Sequence, residues 1–519
     1  MYSHRYIQLL KEITEGKSKP TDYWEIAALL ESNGIRDIDA REEWGKEDIF
    51  SLARELYKYV DLLKYEVRKE TLEERPFLIR IFLNYLKGTL FALPMAIQIV
   101  SMVIVGVGIW SYIHFSLREA TAIAFGTLLA LFSTGGIAQM IGRKGLFYLK
   151  FGEYLLASKI TKRFYLIGLI LIAVYAITIS FVNYLMNLFP FYMFKLAILY
   201  YILLSIIFLV FSIFYMLNDY FSLTLLTFIG ILLVLLFFKV FHFGIYTSQI
   251  FGMGILILIS NIIAFRKLRK LELMNYAEGV VLPKAGTLFY TLYPFFIYGS
   301  LYFLFLIMDR LMAWTTSHGY MPYFMWFNMP YEVGVDWALF TFIVTVAFIE
   351  VFINELGILS FQKIKEISAY SVKEFNEHFL RIYRLALVVF IFVGIISIIF
   401  SFFAPLILSV KFKLKYANVF FILVNQEVFW FASIGYTFLS VALLNCVIFF
   451  AYSRYNFALK SIALGVLVNL AVGFAFSRLI EYYYAIVGLT VGSVVFAAVS
   501  TYYALKFFKR FHYYYYSAF

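Results

Sequence analysis

Asp309 and Arg310 stand side by side inside a long apolar run, and Glu350 and Asn354 share a helix face at i, i+4 with Glu355 next to them. An ionisable side chain held in hydrocarbon costs roughly 3 kcal/mol or more, which makes these residues the first candidates for a transport path or cavity. Consecutive helical residues point about 100 degrees apart, so Asp309 and Arg310 do not simply neutralise each other. Two readings stand for Asp309: a carboxylate on the line of transport, or one partner of an ion pair that locks helices together. Glu350 reads as facing a polar cavity. Lys195, Lys239 and Glu427 fall near the ends of apolar stretches and read as interface anchors. Asn183, Asn218, Asn261, Asn445, Asn469, Gln98 and Gln139 add amides suited to sugar hydroxyls or to interhelical hydrogen bonds.

Other chemistries lack their residues. The six histidines are scattered singly and the one cysteine, Cys446, lies in an apolar run, so neither a metal site nor a disulfide framework is expected. No Gly-rich phosphate loop with a following Lys-Ser or Lys-Thr occurs, so the chain is not expected to hydrolyse ATP. Asp37-Ile38-Asp39 has the form of a metal-nucleotide motif, but Asp39 is better placed to cap a helix. No catalytic residue, cofactor or nucleic-acid partner is expected.

The elements that must position these side chains are membrane helices. Of 519 residues, 63% are apolar, 21% aromatic and 15% charged, a balance that only a lipid solvent accommodates at this length. Twelve apolar stretches lie near 88 to 115, 120 to 141, 164 to 188, 191 to 217, 219 to 240, 243 to 264, 285 to 313, 335 to 358, 382 to 409, 425 to 451, 456 to 477 and 483 to 507. Residues 1 to 87 carry 15 Lys/Arg and 17 Asp/Glu, whereas the remainder carries 29 and 15. No basic segment followed by an apolar one opens the chain, which predicts no cleaved signal peptide and a soluble head. With the head inside, 21 cations flank the inner ends of the spans against eight elsewhere, so both termini are expected in the cytoplasm.

Within the head, Asp22 and Glu25 have capping spacing, Gly34 marks a stop, and Asp39 to Trp44 predicts a short helix ending at Gly45. Ile49, Leu52, Ala53, Leu56, Val60 and Leu63 then form one apolar face. Such a small bundle has a thin core and leans on a support. The run Glu70 to Glu74 with Pro76 reads as a hinge. The expected divisions are a helical head at 1–76, a first six-helix half at 77–264, a basic linker at 265–284 and a second half at 285–519.

The halves carry an internal echo. Gly88-Thr89-Leu90-Phe91 recurs as Gly286-Thr287-Leu288-Phe289, each followed by a proline, Pro94 or Pro294, that bends its helix. Paired bends at the first span of each half suit a rocking gate. Gly488 and Gly492 form a GxxxG read as internal packing.

This all-α layout of twelve spans in two halves resembles the multidrug/oligosaccharidyl-lipid/polysaccharide (MOP) flippase superfamily, to which MATE transporters belong. Tyr302 to Trp314, containing Asp309-Arg310, is similar to the seventh span of the Pel exopolysaccharide exporter (PelG) family. Pro330-Tyr331-Glu332, the span through Glu350 to Glu355, and the aromatic tail Phe511 to Phe519 are similar to it as well. The head has no counterpart in that pattern. The resemblance implies a bacterial inner-membrane exporter that moves an exopolysaccharide or a lipid-linked oligosaccharide by alternating access, among membrane lipids. A multidrug or ion antiporter is the second possibility within the superfamily. Outside it stand a membrane glycosyltransferase using Glu332, and a non-transporting subunit that docks a polysaccharide synthase through residues 1–75. A cavity lined by Arg310 would suit an anionic group. One lined by Asp309 and Glu350 would suit a cationic, amino-sugar-rich polymer, the reading favoured by the depth of the two carboxylates.

Overall fold

The computed structural model describes residues 2–14, 20, 22–62, 76–274, 282–316, 321–366, 371–412 and 422–517. The expected hinge at Glu70 to Glu74 lies outside them. The head comprises α1 (Tyr2–Thr14), α2 (Tyr23–Ser32), α3 (Asp37–Glu42) and α4 (Ile49–Tyr57). Asp22 caps α2 by accepting from the Glu25 amide at 2.9 Å, and Asp48 caps α4 by accepting from the Ser51 amide at 2.7 Å. Gly34 and Gly45 take positive φ angles, 82° and 63°, where a side chain would be strained. The helix expected at Asp39 to Trp44 begins at Asp37 and ends at Glu42 instead. Its two aspartates serve the backbone: Asp39 accepts from the Arg36 amide at 2.8 Å and Asp37 from the Ile49 amide at 2.9 Å. Leu10, Ile26, Leu30, Leu52 and Leu56 fill the small core.

Twelve helices among the described residues are long and apolar enough to cross a membrane. They are α5 (Phe77–Val105), α6 (Leu117–Met140) running on through a π turn into α7 (Leu146–Lys150), α8 (Tyr154–Met186), α9 (Phe191–Met216), α10 (Tyr220–Leu235), α11 (Ile245–Met274), α12 (Ala285–Trp314), α13 (Met329–Glu366), α14 (Val372–Phe412), α15 (Leu423–Ala451), α16 (Tyr455–Leu479) and α17 (Ala485–Phe508). A short α18 (Phe511–Tyr516) follows. Large apolar side chains are left uncovered at helical spacing, Leu166, Ile170, Val174, Ile177 and Phe181 on α8 and Leu385, Val388, Phe392, Ile395 and Ile399 on α14. In water such stripes would be costly; facing acyl chains they cost nothing.

The first span differs from its expected limits. α5 starts at Phe77, eleven residues before 88, and ends at Val105. Residues 106–115 are apolar but not membrane-crossing: Gly106, at φ 76°, reverses the chain, and Val107 and Ile109 fold back to 1% exposure. Gln98 holds this turn, accepting from the Ile109 amide at 3.2 Å and donating to Ser111 Oγ at 3.2 Å. Hydropathy alone reads a buried loop and a span alike.

Contacts divide the described residues into two compact units. The first holds the head, the start of α5 to Asn84, residues 351–385 and residues 505–517. In it His512 of α18 accepts and donates against Asn376 of α14, with Phe375, Phe379, Phe508 and Phe511 stacked around them. The Tyr516 phenol is pushed up from its ordinary value by partial burial and then by the nearby carboxylates of Asp22 and Glu25. The second unit holds the rest of the spans. There α12 meets α6, and α5 meets α13, on glycines: a Cβ on Gly299 of α12 would strike the Gly135 backbone of α6, and one on Gly88 of α5 would strike Ala347 of α13.

Candidate functional site

The side chains with most chemical potential lie where α12 ends and α13 begins. Asn328 starts α13 by accepting from the Tyr331 amide at 3.2 Å, which puts Tyr331, Glu332 and Asp336 in its first turns facing α12. The Tyr331 hydroxyl donates to Asp309 Oδ2 at 2.6 Å. One residue on in both helices, Arg310 pairs with Glu332 through one amino group and with Asp336 Oδ1 at 3.2 Å through the other. Glu332 and Asp336 are four residues apart and share a face, so one guanidinium reaches both. The indole of Trp314 donates to the remaining Glu332 oxygen at 2.9 Å. Tyr436 of α15 stands beside Arg310. The 100-degree divergence of Asp309 and Arg310 is therefore resolved by two different partners.

Enclosure varies sharply across the cluster. Asp309 is 0% exposed and the Glu332 side chain 7%, while the Asp336 side chain is 49% exposed. Asp309 Oδ1, although buried, has no hydrogen-bond partner among the described residues. Two carboxylates, Glu332 and Asp336, pair with the one guanidinium, and Asp309 lies within its electrostatic reach on a separate partner, which leaves a formal excess of two negative charges when all are ionised. A buried carboxylate oxygen without a donor is held most cheaply by a proton or a cation. Among the described residues no group of three His, Cys, Asp or Glu is arranged to hold a metal ion.

The remaining sequence candidates lie elsewhere. Glu350 follows Glu332 by 18 residues on α13, about 27 Å of helix rise, and sits within electrostatic reach of Tyr220. Asn354 and Glu355 belong to the first compact unit, where Glu355 takes a two-pronged ion pair from Arg80. Pro94 and Pro294 both lie inside continuous helices, α5 and α12. Tyr331, Trp314, Tyr436 and Arg80 are not among the candidates that sequence reasoning selects. Tyr331-Glu332 followed by Asp336 at i+4 carries a signal, and Arg80 becomes visible once α5 is started at Phe77.

The sequence matches no protein-family model and no curated protein. Solved structures are more informative. The Vibrio cholerae MATE transporter VcmN, in a point-mutant form, superposes with a TM-score of 0.58 at 13% identity, covering 83% of this chain and 96% of that one. The chain has a MATE-type transporter fold. A MATE structure in the straight conformation gives 0.56 at 12% identity, over 85% of this chain and 99% of the other. A MOP superfamily transporter from Pyrococcus furiosus, described for the reversed polarity of its binding pocket, gives 0.54 at 14%, over 83% and 96%. The MATE-like fold bears out the expected architecture of twelve spans. Identity this low carries the fold and not the cargo.

Proposed function

We propose that this MATE-like protein exports a polysaccharide or a lipid-linked oligosaccharide across the bacterial cytoplasmic membrane by alternating access, with both termini in the cytoplasm. The observation that carries this reading is the cluster of Asp309, Glu332 and Asp336 around Arg310 inside a transporter fold. Its excess of negative charge favours a cationic, amino-sugar-rich polymer, because Arg310 is already engaged by two carboxylates and offers no open fork to a phosphate. Asp309, with one oxygen unbonded, takes the coupling proton or sodium ion. Glu332 is consumed by Arg310 and Trp314 and has no open face for the base of a glycosyltransferase. The head, residues 1–75, docks a synthase subunit in this reading.

Asp309→Asn tests the reading. Polymer export is expected to fall to background while the protein still accumulates in the membrane; export at the parent level overturns the role. Efflux of small cationic dyes from proteoliposomes, with no effect on polymer, would support instead the multidrug or ion antiporter reading.

A further inference from the structure

Arg80 enters α5 one turn after its start and meets Glu355 of α13 through two parallel bonds, Nε to one oxygen at 2.6 Å and Nη2 to the other at 2.7 Å. The side chains are 15% and 13% exposed. Arg80, Asn84 and Gly88 recur every fourth residue and so share one face of α5. Asn84 is 3% exposed, and Gly88 lies against the Ala347 backbone eight residues before Glu355. Tyr85 packs its ring on Phe348 at 4.9 Å. The Arg80–Glu355 fork belongs to the first compact unit, and the Gly88–Ala347 contact of the same two helices to the second. In the transport reading α5 opens the first six-helix half and α13 belongs to the second. Six residues beyond Gly88, Pro94 breaks the hydrogen-bond ladder of α5 and leaves a point of flexure in that helix.

We propose that Arg80 and Glu355 form a latch between the halves, shut in this conformation and broken when that side of the transporter opens. The inference rests on the transport reading above. An arginine–carboxylate fork is strong when dry and weak once water enters, since its attraction falls as the dielectric rises. A purely apolar seam would have to expose its surface on opening. A charged one exchanges its partner for water, so it can close firmly and still release.

The test places a thiol one helical turn from Arg80 at a buried position, Asn84→Cys, with the native Cys446 buried and so protected. Labelling is followed with a membrane-impermeant maleimide on inside-out vesicles, in the parent and with Arg80→Gln, Glu355→Gln or the exchange Arg80→Glu with Glu355→Arg. Each single change is expected to raise the labelling rate about tenfold, as loss of one such contact shifts a two-state equilibrium, and the exchange to return it toward the parent. Unchanged rates in the single variants overturn the latch. An exchange that labels as fast as the single changes overturns it too, because packing rather than pairing would then be responsible. Labelling needs no cargo, so an absence of polymer export alongside these rates would sink the transport reading and not the latch.

Discussion

The spans from α5 to α11 and those from α12 to α17 bury different kinds of polarity. In the first, Gln249 donates to the Ser111 carbonyl at 3.1 Å and accepts from the Tyr200 hydroxyl, while Gln98 uses its oxygen on the Ile109 amide and its nitrogen on Ser111. That network is neutral, and both amide side chains are engaged at oxygen and nitrogen. In the second group, Glu332 and Asp336 share one guanidinium with Asp309 in electrostatic reach, and a fully enclosed oxygen of Asp309 has no donor among the described residues. A satisfied neutral network rigidifies; an unbalanced charged one needs a further occupant. In the proposed reading the first group is scaffold and the second answers to ligand or ion.

The strongest challenge to this contrast is Arg310→Gln. It strips Glu332 and Asp336 of their paired cation, with an expected cost of about 3–5 kcal/mol, read as a large fall in the melting temperature of the detergent-solubilised protein. Stability equal to the parent would mean that the cluster is not held as an ionic unit. A smaller effect is expected from Gln249→Leu, which removes the acceptor of the Tyr200 hydroxyl for about 1–3 kcal/mol and takes one of two donors from the Ser111 carbonyl, which keeps the Gly108 amide at 2.8 Å. Transport per folded molecule and its ion dependence should stay as in the parent; a changed ion dependence would erase the distinction between the halves. The smallest effect lies outside both. The Ser51 hydroxyl and then its amide hold the Asp48 carboxyl below the usual aspartate range, so this cap is intact at neutral pH and is lost as pH falls through that lowered value. Proteolysis of the head in the full chain should therefore quicken in acid, and Asp48→Asn should flatten the profile.

What sequence made legible depended on the range of the interaction. Twelve spans were readable because each apolar run must cross about 30 Å of hydrocarbon unaided. Local caps at Asp22, Gly34 and Gly45 were readable for the same reason, their partners being within a few residues. The spacing of Tyr6, Leu9, Leu10 and Ile13 likewise marks α1, a helix not anticipated. Asp309 and Arg310 could be seen to diverge, but their partners could not be named. The pairing to Tyr331 and Glu332 depends on the register in which α13 returns beside α12, which hydropathy does not encode. Glu355 stood out with Glu350 and Asn354, while its partner Arg80 entered only the charge count of residues 1 to 87.

The glycine contact between α6 and α12 has a mechanical character of its own. Gly135 and Gly299 set backbone against backbone, and Gly136 beside them leaves room for the ring of Phe296. Interlocked side chains act as teeth, since sliding forces each one out of its staggered well at about 0.5–1.5 kcal/mol. A glycine has no tooth of its own, but it leaves a notch for a neighbour's. At Gly135 and Gly299 the backbones of α6 and α12 touch, and the rings of Phe303 and Phe296 seat in the notches over Gly135 and Gly136. The missing methyl groups therefore act as a keyway, fixing the register of the two helices at the closest approach two backbones allow.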